Sequence, residues 1–241
     1  GGVNGAKLMS SAQGARPFVL GKPRAPHFDR EEISALLELT EGIGPSAISD
    51  WDYEELRELT DFVRSRGKIV ALHCSERIRE DLDKVLDLRP SYLVHMTQAT
   101  DGDLERCAQL DVPIVVCARS NMFFGMVPPL ARMVDQGVTV AIGTDNAMIS
   151  MPDMFVETEF VGRLLRQQGI ARLECVLSMA VANGRKIINQ LPLMEIVSDA
   201  PLDLMVVRSK QGDPLTDLVL RTAGEEPLLV CVGENKRRGT R

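Results

Sequence analysis

Short runs dominated by Val, Ile and Leu punctuate the chain at intervals. Residues 68–73 (KIVALH), 92–95 (YLVH), 112–117 (VPIVVC) and 138–142 (VTVAI) lack the polar alternation of a sheet with one wet face. They read as short strands buried on both sides. Between them the apolar positions fall at helical spacing, over 77–88, 101–110 and 127–136. Thr100 is placed to cap the second of these helices, with Asp101 and Asp103 in its first turn. Gly67 and Gly137 each stand where a helix must stop before a strand begins.

Extending this rhythm toward the N-terminus adds a helix over 30–39, a weak strand over 42–48 (GIGPSAI) and a better one over 17–21 (PFVLG). Six strand–helix units result, ending near Gln168, with further helices expected over 153–168 and 173–183. Strand and helix in strict alternation specify a parallel α/β fold. The tail reads differently: 204–207, 217–220 and 228–232 are short strand candidates separated by Gly, Pro and Asp, and 236–238 (KRR) reads as a solvated, disordered tail.

Where each strand gives way to a loop stands a side chain capable of chemistry: His73, His95, Arg119 and Asp145. In a β/α barrel that rim builds the active site; in an open doubly wound sheet it lines a crevice. No Gly-rich phosphate loop follows the first strand, which favours the barrel. The expectation is a TIM-like (β/α) barrel lacking its first two strands over residues 1–190, with a small C-terminal β annex over 191–241.

Composition narrows the partners. Basic side chains number 28 and acidic ones 34, for a net charge of −6, which argues against a nucleic-acid binder. No apolar run is long enough to span a membrane, and no signal-peptide core is present. Five scattered cysteines do not make a disulfide framework, so a cytoplasmic setting is expected. A small-molecule substrate is therefore the expected partner. A barrel missing two strands would leave sheet edges open, so association into a homo-oligomer is expected too.

Imidazole and carboxylate groups at one rim are donors suited to a divalent metal, with zinc first and iron or manganese as alternatives. Leu72-His73-Cys74-Ser75-Glu76, Val94-His95-Met96-Thr97, Arg119-Ser120-Asn121 and Gly143-Thr144-Asp145-Asn146 resemble the amidohydrolase superfamily. The nearer likeness is to its triazine hydrolase and nucleobase or nucleoside deaminase branch, in both order and spacing. Asn183-Gly184 and the stretch 202–207 (LDLMVV) resemble segments that follow the barrel in that branch.

The resemblance implies a metal-dependent hydrolase of non-peptide C–N bonds, above all a deaminase of a purine-like base, nucleoside or related aromatic heterocycle. His73 would ligate the metal. Asp145 would ligate it too and accept a proton from its water, and Glu76 would move protons to the leaving group. His95 would polarise the substrate, while Asn121 and Arg119 would contact it; for Arg119 a salt bridge to a neighbouring carboxylate is the equal alternative. The family also carries a His-x-His pair after its first strand. None occurs among the three histidines here, and His27 reads as an ordinary loop residue. The chain thus resembles a family member without its N-terminal part. An amidase or ureidohydrolase on the same fold, and a non-catalytic binding or assembly module, stay open as alternatives. Phe123 and Phe124 could wall a pocket or pack against a neighbour. Cys74 should point away from the rim as a buried thiol.

Overall fold

The computed structural model describes residues 2–10, 17–149, 151–189, 203–210, 212–232 and 235–238. In chain order its elements are α1 (Gly2–Ser10), β1 (Leu20–Gly21), α2 (Arg30–Leu37), β2 (Gly42–Ala47), α3 (Tyr53–Ser65), β3 (Ile69–Cys74), α4 (Leu82–Asp87) and β4 (Tyr92–His95). They continue with α5 (Asp101–Gln109), β5 (Ile114–Val116), α6 (Ala118–Phe123), α7 (Leu130–Asp135), β6 (Val140–Ile142), α8 (Met154–Gln167) and α9 (Leu173–Leu177). A π-helical turn, Ser178–Ala182, leads into α10 (Asn183–Ile187). The last elements are β7 (Asp203–Val206), α11 (Pro214–Leu220), β8 (Leu229–Val232) and β9 (Asn235–Arg238). The first six strands form a sheet in chain order, and the last three form a second. Among the described residues no helix is long and apolar enough to cross a membrane.

Two compact units divide the chain: Gly1–Val115 with Gln136–Thr139, and Val116–Asp135 with Val140–Arg241. In the first, β1 to β5 pair in parallel, each with its neighbour in sequence. Ile43, Val70, Leu72 and Leu93 from the strands and Leu36, Leu56, Leu59 and Leu104 from the helices are fully buried. Each such side chain contributes about 1.5–3 kcal/mol by leaving water. Gly42 allows β2 and β3 to approach: a Cβ there would lie 2.9 Å from the Ile69 Cα.

The helix termini follow the residue chemistry. Thr100 and Asp103 close a reciprocal capping box at the start of α5. Gly67 and Gly137, at φ 66° and 77°, supply the left-handed residue after α3 and α7. The expected helix over 77–88 begins only at Leu82, because Asp81 caps it there. The preceding loop is held instead by Glu80, which accepts the Ser75 N–H at 2.9 Å while the Ser75 hydroxyl accepts the Glu80 N–H at 3.1 Å.

In the second unit three expectations give way. Residues 217–220, read as a strand, lie in the helix α11, which Asp213 caps and Pro214 opens. Arg119 and Asn121, read as loop residues, stand on the helix α6. Residues 236–238 are not a free tail: β9 pairs antiparallel with β8, as β7 does from the other side. Of the expected annex, residues 191–202, 211, 233–234 and 239–241 lie outside the described residues. Asn183 donates through Nδ2 to the Val140 carbonyl at 2.6 Å, tying the start of α10 to β6.

Candidate active site

The first unit gathers His73, Glu76 and His95. Parallel pairing sets Cys74 opposite His95 and His73 opposite Val94, so both imidazoles emerge at matching strand ends. Their rings stack, with centroids 5.2 Å apart and planes inclined by 23°. His95 is buried, its side chain 3% exposed, and its Nε2 lies 3.6 Å from Glu76 Oε1. That separation is an ion-pair contact when the ring is protonated, and longer than a hydrogen bond.

The loops that carry these groups are held in costly backbone. Ser75, His95 and Met96 take φ of 48°, 78° and 54°, in the left-handed region. They are kept there by Met96 N–H donating to the Cys74 carbonyl, by Gln98 N–H donating to the Ser75 carbonyl, both at 2.9 Å, and by the Thr97 hydroxyl, which donates to the Ser75 carbonyl at 3.2 Å and to that of Glu76. Cys74 points the other way, as strand alternation requires. It is fully buried, and burial pushes its thiol up to about 12, too high for a nucleophile at neutral pH.

The second unit holds Arg119, Asn121 and Asp145. Asn121 is fully buried on α6. Asp145, exposed at φ 60° just past β6, accepts from the Ser120 hydroxyl at 2.5 Å and from Asn146 Nδ2 at 3.3 Å. Arg119 has its salt bridge: Nε lies 3.8 Å from Oε2 of Glu157. Glu157 is the residue that sequence patterning misses. It sits on an apolar stripe of α8 and is fully buried, and burial pushes its carboxyl above the usual range against the pull of Arg119. Phe123 and Phe124 are exposed at 68% and 45%, and their rings meet edge to face with centroids 5.2 Å apart. A cavity of about 570 Å3 in this unit is lined by Phe155, Leu177, Leu204, Leu218 and other mainly apolar residues, and none of the six candidate residues borders it.

Among the described residues, no three or more His, Cys, Asp or Glu side chains are grouped to hold a metal ion. The donor types suit zinc, but their number at any one place falls short of the three protein ligands a catalytic zinc needs. The described residues therefore do not by themselves fit a complete metal centre.

No protein-family model matches the chain. It is similar to a protein of Methanothermobacter thermautotrophicus provisionally described as an aminohydrolase, at 27% identity over 96% of this chain and 66% of that protein. A second provisional aminohydrolase, from Archaeoglobus fulgidus, is 29% identical over 77% of this chain and 54% of its own. The 5-methylthioadenosine/S-adenosylhomocysteine deaminase of Nitratidesulfovibrio vulgaris is 26% identical over 58% and 35%. These likenesses are to aminohydrolases and deaminases, proteins of the amidohydrolase superfamily. Solved structures share the fold. Helicobacter pylori aminofutalosine deaminase superposes with a TM-score of 0.74 at 14% identity, covering 96% of this chain and 68% of that one. A zinc-bound adenosine deaminase from Xanthomonas campestris gives 0.73 at 19%, covering 83% and 52%. The chain spans about half to two thirds of the length of the aminohydrolases it matches.

Proposed function

We propose that this chain provides part of the active site of a hydrolase that releases an amino group from an aromatic nitrogen heterocycle, a purine-like base or nucleoside. The observation that carries the reading is the buried His95 ring, stacked on His73 and approached by the Glu76 carboxylate. The naming of several relatives as deaminases adds support. Addition of water to a ring carbon places negative charge on a ring nitrogen, and that nitrogen must be protonated before ammonia leaves. His95 would hydrogen-bond the substrate as that charge develops, and Glu76 would carry the proton. Asp145 would take the proton from the attacking water, with Arg119 and Asn121 contacting the substrate.

We further propose that residues 1–190 make the hydrolase core, a (β/α) barrel lacking its first two strands, and 191–241 its annex. Zinc would serve the complete site, with His73 and Asp145 among its ligands and iron or manganese as substitutes. A cytoplasmic setting suits the free thiols, and a homo-oligomer would cover open sheet edges.

The test is to supply the protein with aminated purines, purine nucleosides, aminated or chlorinated triazines and open-chain amides, each with zinc, iron or manganese. Ammonia release from the purine class is expected. Turnover confined to open-chain amides would move the assignment to an amidase. No turnover of any substrate by the correctly folded protein would leave the non-catalytic module as the better account.

A further inference from the structure

Helix α6 starts without a cap of its own. The side chain of Cys117, at its N-cap, accepts none of the helix's first N–H groups, and those groups need acceptors from elsewhere. The acceptor here comes from α8. Glu157 Oε1 accepts the Arg119 N–H at 3.1 Å, and the Ala118 N–H bonds the same carboxylate. Glu157 Oε2 lies 3.8 Å from Arg119 Nε. Among the described residues, neither that oxygen nor Arg119 Nη1 has a hydrogen-bond partner, although both are buried.

Burying a carboxylate costs several kcal/mol, and an apolar side chain of similar volume would fill the same space without that penalty. The group that Glu157 holds is therefore informative. From one six-residue helix, Arg119 keeps a buried donor uncommitted and Ser120 donates to Asp145 at 2.5 Å. A single carboxylate thus fixes the turn on which both depend.

We infer that Glu157 is a positioning residue: it sets the first turn of α6, and through that turn the aim of Arg119 on the substrate and of Asp145 on the attacking water. The inference rests on the roles given to Arg119 and Asp145 under the proposed function. Burial raises the Glu157 carboxyl against the opposing pull of Arg119 and of the Ala118 N–H.

Glu157→Gln keeps the shape but removes the charge, and Glu157→Asp keeps the charge but withdraws it by one methylene. In both, amide exchange at Ala118 and Arg119 should quicken about tenfold relative to Val161 and Leu164, the equivalent of about 1.4 kcal/mol. The KM of the substrate turned over should rise about tenfold and kcat should fall, while Ser120→Ala should lower kcat alone. A role in stability only would reduce the folded fraction and apparent kcat, with KM and relative exchange unchanged; that result overturns the inference.

Carboxyl-selective NMR titration of the unaltered protein decides the matter if the variants fail to fold or no substrate is found. The Ala118 and Arg119 amides must then respond at the Glu157 midpoint. Amides that ignore that midpoint overturn the inference; amides that follow it in a protein without turnover uphold it and refute only the proposed chemistry.

Discussion

The two units hold their candidate residues by different means. In the first, strand pairing does most of the work: the register of β3 against β4 fixes His73 and His95, and backbone hydrogen bonds fix the loops beyond them. In the second, the residues sit on a short helix and a loop, and side chains hold them: Glu157 on α6, Ser120 on Asp145. A site built on ladder hydrogen bonds changes little when one side chain is altered. A site built on a relay of side chains passes each alteration onward. The first arrangement should therefore lose function only through the residue replaced, the second through its neighbours as well.

The largest expected effect lies in the second unit. Asp145→Asn should reduce turnover by about three orders of magnitude or more while the fold persists, because it deletes the proton acceptor with almost no change of shape. Steady-state rates with a circular dichroism control would check it, and retained turnover would remove Asp145 from the mechanism. Glu76→Gln, in the first unit, should lower kcat by about a hundredfold. Its KM should hold, since the strand ends that place His95 are untouched; a large rise in KM would erase the contrast between the units.

A smaller effect concerns stability. Asp103 is buried and bonded to Arg79 twice, both at 2.7 Å. Chiefly through that pair, its carboxyl is held at about 2, below the usual 3.8. A depressed carboxyl stabilises the fold above the unfolded value and stops doing so as pH falls through the folded one. With Arg79 half exposed, the contribution is about 1–2 kcal/mol. Asp103→Asn should lose that amount at neutral pH, and its deficit should fade between about pH 4 and pH 2. A deficit that persists at pH 2 would show that the capping box, not the ion pair, is the source.

Sequence reading succeeds where the physics is local. Buried strands such as 69–74 and the Thr100 cap declare themselves within a few residues, and His73, His95 and Asp145 each stand at or just past the end of a strand. It fails where partners are distant in the chain. Helix α6 is too short to show a period, and its cap lies on α8. The stretch 217–220 has an apolar pattern that suits either state; the overlooked signal was Asp213 followed by Pro214, a helix start. Nothing in the charges of 236–238 announces that they pair with β8. Glu157 was invisible for the same reason as α6: a carboxylate within a helical pattern reads as solvent-facing until its partners are seen.

His95 and Asp145 both occupy left-handed backbone, where glycine or asparagine would sit at lower energy. If selection acted on folding alone, mutation would carry these two positions toward glycine, and the chain would gain stability by the exchange. Selection for a reaction would keep an imidazole at one and a carboxylate at the other in spite of that gradient. The two positions therefore serve as a historical record. In a lineage that has given up the chemistry they should be the first to relax, and in one that still uses it they should outlast the apolar core around them.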